Sequence, residues 1–229
     1  MGLGANQADK STQRESFIVG LWSLVFWVAT WATPYHWITK SVAGLKRGWT
    51  PSHLFTDAWL LAHLVAAASL VFVPSMRGIE RLEWVAVGYG GFRVFETLVY
   101  QINVLLFGGY RRGRWRQPQV VLSRRRLVVT SLQNYVEVIL WFALFYRHWQ
   151  AAFIQTDWPL IPPDRVLTWL NLSFATMTTF GYPTVQANES LAVLLTFVQS
   201  AIGALMALII LAGFVSLLPT PETRDQSEQ

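Results

Sequence analysis

The sequence contains no cysteine and few charged residues. Aspartate, glutamate, lysine and arginine make up 14% of its 229 residues, against about 25% in typical soluble proteins. Without cysteine the chain can form no disulfide, no zinc–thiolate site and no thiol nucleophile. It also shows no Ser/His/Asp, paired-carboxylate or His-Glu-x-x-His arrangement, so we expect it not to be an enzyme.

Hydrophobic residues are abundant, at 53%, and there are twelve tryptophans. They form long blocks rather than the spacing of an amphipathic helix, which is typical of membrane proteins. The first block is too long for a signal-peptide core and lacks a convincing cleavage site, so we expect it to be a span. The pattern predicts an all-α membrane protein with about five transmembrane helices, at 17–38, 54–74, 84–107, 127–146 and 191–218.

The basic residues lie mainly between these blocks and predict the orientation. Residues 111–126 contain seven arginines and no acidic residue, and such a loop is expected to stay cytoplasmic, where it suits anionic lipid headgroups. Five crossings then leave the N-terminus outside and the C-terminus in the cytoplasm of a cell (inner) membrane protein. The net charge of +5 is explained by this topology, so we expect no nucleic-acid partner. The polar ends, 1–16 and 220–229, are expected to be disordered around three N-terminal helices (17–110) and a C-terminal unit (127–219).

Ionisable residues inside the predicted spans have a functional and a structural interpretation. Arg93 and Glu96 share a face of the third span, and Glu137 lies on the fourth. Charges within a membrane raise the hypothesis of a gating contact. We favour a structural ion pair, because voltage sensors need a regular series of arginines. His63 and Asp57 on the second span have no matched partner ligand, so we expect no metal or cofactor there.

The connection between the fourth and fifth spans is neither a span nor an ordinary loop. Pro162-Pro163 breaks the chain, Asp164 is a candidate helix cap, and residues 165–177 have a helical pattern. About thirteen residues cover only about 20 Å, too little to cross a bilayer. The sequence therefore predicts a re-entrant helix that enters from one side and directs its carbonyl end towards the membrane centre, where it favours a cation.

The segment Thr176-Met177-Thr178-Thr179-Phe180-Gly181-Tyr182 follows, and then the last apolar run. Backbone carbonyls and threonine hydroxyls can replace the hydration shell of a potassium ion, and glycine lets its carbonyl turn inward. Together with the fourth span, this part of the chain (about 129–219) resembles the pore domain of the potassium channel superfamily. There the filter reads Thr-x-Thr-Thr-x-Gly-Tyr-Gly-Asp, between a pore helix and an inner helix.

The resemblance implies a homotetramer that conducts potassium, with one filter strand and one inner helix from each chain. It implies that potassium is bound by filter carbonyls alone, without another cofactor. The ion-binding carbonyls would come from Thr179, Phe180, Gly181 and Tyr182. Thr176 and Thr178 would support this segment from behind, and Gly203 would be the hinge of the inner helix.

Three residues depart from the family pattern and leave alternatives open. Pro183 replaces the second filter glycine and fixes φ near −65°, so it should reshape the outermost ion site. Thr184 replaces the acid, and Phe180 replaces a usual β-branched residue. A non-selective cation channel and a non-conducting scaffold or regulatory subunit with a pore-like hairpin therefore remain alternatives. A transporter is disfavoured because the spans do not repeat.

Overall fold

The computed structural model describes residues 17–45, 52–72, 80–103, 124–155, 166–181 and 185–218. Several predicted features lie outside these ranges: both chain ends, the end of the third predicted span and most of the basic loop (104–123), Pro162, Pro163 and Asp164, and the site residues Tyr182 and Pro183 with Thr184. The described chain is mostly helical, in agreement with the helical part of the predicted class. Its elements are α1 (Phe17–Trp31), α2 (Pro34–Leu45), α3 (His53–Phe72), α4 (Glu80–Ile102), α5 (Arg124–His148), β1 (Phe153–Gln155), α6 (Val166–Thr178), β2 (Val185–Ala187) and α7 (Ser190–Val215).

Three of these helices, α3, α5 and α7, are long and apolar enough to cross a membrane. The bent pair of α1 and α2 would make a fourth candidate if it counts as one span. The five-span layout is therefore not confirmed. Boundaries also differ, because α5 begins at Arg124 rather than at residue 127, and so takes in the last three arginines of the predicted loop.

The first predicted span is not one straight helix. It breaks after Trp31 and resumes at Pro34 with a bend of 65°. Proline lacks an N–H, and its ring would clash with the carbonyl of Thr30 one turn earlier, so it suits the first position of a new helix. That carbonyl instead accepts hydrogen bonds from the Thr33 backbone N–H (3.1 Å) and hydroxyl (2.7 Å).

The broken segment runs antiparallel to the last turns of α4. The Asn103 amide nitrogen donates to the Phe26 carbonyl at 3.1 Å, while the Tyr35 backbone N–H donates to Glu96 Oε1, two turns earlier on α4, at 2.9 Å. Five alternating crossings require the first and third spans to run in the same direction. The α1–α2 segment, which runs antiparallel to α4, does not meet this requirement.

Helix α4 has 23 residues, enough to cross a bilayer, but it is not among the three helices that are also apolar enough. Its buried face carries Arg93 and Glu96, each 4% exposed, whereas Val85, Phe92 and Phe95 are exposed. This is the reverse of the pattern in a water-soluble helix. Intramembrane charges face a bundle interior while apolar side chains face lipid, so α4 has the surface that a bilayer environment requires.

Helix α5 lies at the centre of the molecule and contacts α3, α4, α6 and α7. Every residue from 138 to 146 is buried, as expected of a helix that is packed on all sides. Its two ends are aligned with those of α3, since Arg126 pairs with Asp57 (2.5 Å) and Arg147 donates to the Val71 carbonyl (2.7 Å). Thus α5 connects an N-terminal helical bundle to the C-terminal unit.

The C-terminal unit closes with a two-stranded antiparallel sheet. A 3-10 turn (Gln150–Ala152) leads from α5 into β1, and Phe153 pairs with Ala187 while Gln155 pairs with Val185. The sheet joins the segment after α5 to the segment before α7. It therefore fixes both ends of the stretch that contains α6 and the chain segment after it.

Candidate functional site

Helix α6 matches the predicted short helix within one residue at each end. It has 13 residues, or about 20 Å of length, and packs against both α5 and α7. Trp169, Leu172 and Met177 are buried in that contact. The helix is thus enclosed by protein on two sides, which is the condition under which a short helix can end at membrane depth.

A buried hydrogen-bond network holds α6 between its neighbours. The Gln199 amide of α7 donates to the Ser173 carbonyl (3.0 Å) and hydroxyl oxygen (2.7 Å) of α6. The Ser173 hydroxyl donates in turn to the Ile139 carbonyl of α5 at 2.7 Å. The Tyr146 hydroxyl bonds the Gln199 amide oxygen. Because the polar groups are mutually satisfied, the network fixes the depth and rotation of α6.

The last turn of α6 is held from both sides at Met177. The Tyr135 hydroxyl of α5 donates to the Met177 carbonyl at 2.9 Å. On the other side, Gly203 of α7 lies so close that an added Cβ would be 2.3 Å from the same oxygen. Helix α7 is continuous through Gly203. The glycine therefore has a packing role here, and its proposed role as a hinge stays a prediction.

Helix α6 ends in an unusual cap. The N–H of Phe180 donates to the Ala175 carbonyl (3.1 Å), the N–H of Thr179 to the Thr176 carbonyl (3.4 Å), and Thr179 has φ of 55°. These features form a Schellman motif, in which the left-handed position is usually glycine. A β-branched residue there is strained, and such strain is commonly stored at functional sites.

The segment after the cap is exposed. Thr179, Phe180 and Gly181 are all exposed, Phe180 to 78%, and Gly181 has φ of 79°. Positive φ at two positions separated by Phe180 gives a backbone that is neither helix nor strand. Gly181 is suited to this because it has no Cβ. Three of the four predicted ion-binding residues thus form one exposed, irregular segment at the end of α6.

The two predicted supporting threonines differ in their contacts. The Thr176 side chain lies near the buried Tyr146 hydroxyl of α5. The Thr178 hydroxyl donates to the Phe174 carbonyl within its own helix at 2.7 Å. Thr176 therefore lies beside a neighbouring helix, whereas the described hydrogen bond of Thr178 stays within α6.

The structure brings the three predicted charged residues together. Arg93 donates to Glu96 Oε2 at 2.6 Å and to both oxygens of Glu137, at 2.7 and 3.2 Å. The Trp141 indole also donates to Glu137, at 3.2 Å. Because one guanidinium is shared by two carboxylates, the cluster carries an excess negative charge when both acids are ionised. It joins α4 to α5, as the structural interpretation requires.

Several contacts of the site were not expected from sequence. Gln199 is an isolated amide within a long apolar run, and that isolation is the signal that could have marked it. Tyr135 and Ser173 carried no such signal, because their partners are backbone carbonyls of other helices. His63, considered above as a lone candidate ligand, contacts the Trp59 carbonyl and the Tyr89 hydroxyl with its two ring nitrogens.

The arrangement combines a short helix held between two long ones with an exposed, irregular segment that offers backbone carbonyls at its carboxyl end. Comparison of the chain with protein-family models, curated proteins and solved structures finds no match.

Proposed function

We propose that this protein is a passive cation channel subunit of the potassium type. The observation that carries the proposal is the geometry of α6 and the segment after it. A helix too short to cross a bilayer is packed between α5 and α7 and leads directly into an exposed backbone with positive φ at Thr179 and Gly181. A binding or scaffolding hairpin would not need this strained segment.

The electrostatics of α6 support a cation at this place. The carboxyl end of a helix carries about half an elementary negative charge. Here that end leads into Thr179, Phe180 and Gly181, whose carbonyl oxygens would replace the water around a potassium ion. The ion would be bound by backbone oxygens alone, with Tyr182 completing the series as the resemblance implies.

A single chain supplies one wall of such a pathway. An ion needs oxygens around its whole circumference, so several copies of the segment must surround one axis. We propose a homotetramer in which α7 of each chain lines the way out from the filter. Exposed apolar residues on α7, among them Phe197, Leu208 and Leu211, then face lipid or a neighbouring subunit.

The remaining predictions complete the proposal. The protein would lie in a cell (inner) membrane, with the 111–126 loop on the cytoplasmic side beside anionic lipids. The cluster of Arg93, Glu96 and Glu137 would fasten the N-terminal bundle to the outer helix of the pore, α5. No catalytic step is assigned to any residue.

Pro183→Gly tests the proposal at the position where the sequence departs most from a potassium filter. Glycine restores access to positive φ beside Tyr182. In a working channel we expect the potassium-to-sodium permeability ratio to rise by about tenfold, or about 1.4 kcal/mol. The ratio is measured from reversal potentials in planar bilayers with potassium on one side and sodium on the other.

Pro74→Gly is the matched control, since it makes the same change between α3 and α4. It should leave the ratio unchanged. An unaltered ratio in Pro183→Gly would contradict the filter assignment. Currents that do not discriminate between the cations in the unmodified protein would favour the non-selective alternative, and no current in either protein would favour the scaffold.

A further inference from the structure

A second candidate site lies in the N-terminal bundle, away from the α6 segment. It is a cavity of about 250 Å³ between the α1–α2 break, α3, α4 and α5. Five threonines contribute to its lining, together with the aromatic residues Tyr35, Trp59 and Tyr100 and the charged pair Arg93 and Glu96. Unpaired polar groups are costly at membrane depth. We therefore expect the many polar groups of this pocket to have a partner, such as a bound ligand.

The charge of the lining is unbalanced. Arg93 is shared between Glu96 and Glu137, so one carboxylate charge remains without an ionic partner when both acids are ionised. Of the two carboxylates, Glu96 borders the cavity. A cation in the cavity would compensate this charge beside a carboxylate that is itself buried.

Unpaired acceptors lie on the same walls. Asn103 Oδ1 and Asn134 Oδ1 have no hydrogen-bond partner, although Asn103 is 8% exposed and Asn134 2%. The orientation of the Asn103 amide is fixed, because its nitrogen donates to Phe26. His36 Nε2 and Trp59 Nε1 are also unpaired. Asn103 Oδ1 is thus an open acceptor and the Trp59 indole an open donor, whereas the Asn134 amide and His36 Nε2 can each donate or accept. The cavity therefore offers at least one open acceptor, at the end of the helix that carries Glu96, to a ligand that donates hydrogen bonds.

The aromatic walls and the volume indicate an organic cation rather than a metal ion. Aromatic faces attract ammonium groups when they are shielded from water. Among the described residues no group of three or more His, Asp or Glu side chains could hold a metal. A volume near 250 Å³ is also far larger than a dehydrated metal ion requires, and lies just below the range of drug-sized pockets.

We propose that this cavity binds a small organic monocation, an amine of up to about ten non-hydrogen atoms. Its ammonium group donates to the Glu96 carboxylate, and its apolar part lies against Trp59 and Tyr100. The side chains of Asn103 and Asn134 form further polar walls of the same cavity. Asn134 precedes Tyr135, whose hydroxyl holds the end of α6. The site therefore borders the same stretch of α5 that positions the candidate filter.

Binding is tested on the purified full-length protein with three probes of one shape and different charge: benzylamine, benzyl alcohol and benzoate. Labelled benzylamine should bind saturably to immobilised protein with a Kd of about 1 mM or tighter. Benzyl alcohol and benzoate should compete at least about tenfold more weakly. The assay needs no ion flux, so it is independent of whether the protein conducts.

Two variants locate the site. Glu96→Gln should weaken benzylamine binding by about tenfold or more because it removes the carboxylate. Thr39→Leu should also weaken it by filling the cavity without a change in charge, and it loses only hydroxyl bonds to carbonyls of its own helix. Glu189→Gln, the same change as in Glu96→Gln at an exposed position beside α7, should bind as the unmodified protein does.

Three results would overturn the proposal. Benzyl alcohol that competes as well as benzylamine would show that charge is not recognised. Unchanged binding in Thr39→Leu would place the amine elsewhere, and this holds even if Glu96→Gln fails to fold. Absence of saturable binding at about 10 mM benzylamine would show that the cavity holds water rather than an amine.

Discussion

Gly203 determines how closely α7 can approach the end of α6. Its missing side chain makes room for the Met177 carbonyl, which also accepts the Tyr135 hydroxyl on the opposite side. A backbone atom cannot move aside as a flexible side chain can. The residue at position 203 therefore controls the position of the turn from which Thr179 to Gly181 emerge.

Gly203→Ala should destabilise the protein by about 1–3 kcal/mol, the usual cost of overpacking. Thermal unfolding in detergent micelles measures this cost. Gly88→Ala is the control, because Gly88 is also helical but has open space around it, and alanine there should be neutral or stabilise by up to about 1 kcal/mol. Equal behaviour of the two variants would show that Gly203 serves a purpose other than close packing.

The sequence indicated that Gly203 and Thr179 are unusual, but it could not show which distant residues they contact. A glycine in the last apolar run suggested a bend, but its closest neighbour is the carbonyl of Met177, 26 positions away along the chain. Likewise Thr179 belongs to a threonine-rich segment, yet its strained φ depends on the cap formed by Ala175 and Thr176. Composition indicates which residues are unusual, whereas contacts decide what each one does.

The position of α6 depends on polar contacts between helices rather than on apolar packing alone. Gln199 connects α7 to α6 and, through Tyr146, to α5. In a lipid environment apolar side chains give helices little preference for one another over lipid. Buried hydrogen bonds therefore provide much of the specificity.

Gln199→Leu should destabilise the protein by about 1–3 kcal/mol, because it removes the hydrogen bond to the buried Tyr146 hydroxyl and both hydrogen bonds to Ser173. The loss is measured from thermal unfolding in detergent micelles. Gln186→Leu makes the same change on the exposed side of β2 and should stay within about 0.5 kcal/mol of the unmodified protein. A similar stability for both variants would mean that the network does not hold α6.

The charged cluster between α4 and α5 should respond asymmetrically to mutation. Arg93→Met leaves two buried carboxylates facing each other and should cost about 3–5 kcal/mol. Glu137→Gln leaves a one-to-one pair of Arg93 and Glu96 and should cost less, about 1–2 kcal/mol. Chemical or thermal unfolding compares the two.

Asp57→Asn provides the surface reference for this comparison. It weakens the pair with Arg126, in which the two side chains are 51% and 32% exposed, and should change stability by at most about 1 kcal/mol. If Glu137→Gln proved more damaging than Arg93→Met, the assignment of an excess negative charge to the cluster would be wrong.

The helices themselves were largely predictable, since long apolar runs became α3, α5 and α7, and the short helix expected at 165–177 is α6. Two features of the fold were not predicted, the break before Pro34 and the two short strands. The break before Pro34 was visible as a proline within an apolar run, but the run as a whole dominated the prediction. The strands β1 and β2 are three residues each, too short for any periodicity, and they exist because the folded chain brings them together.

The described part of the molecule consists of two regions that share α5, the N-terminal helices and the C-terminal unit. On one side this helix carries Asn134, which lines the cavity, and Glu137 of the charged cluster. On the other side Tyr135 bonds the end of α6 directly, and Tyr146 does so through Gln199. This arrangement could not be derived from the sequence, because the relative rotation of the helices is set by contacts between distant residues. If the protein is the proposed channel, α5 is the element through which the N-terminal helices would act on the pore.

The most direct test of the proposed channel function is ion flux through the unmodified purified protein in sealed liposomes. Potassium, rubidium and sodium gradients are applied in turn. Filter carbonyls that replace the hydration shell of potassium should pass potassium and rubidium at least about tenfold faster than sodium. Absence of flux, in liposomes that discharge normally when a potassium ionophore is added, would contradict the assignment of this protein as a cation channel.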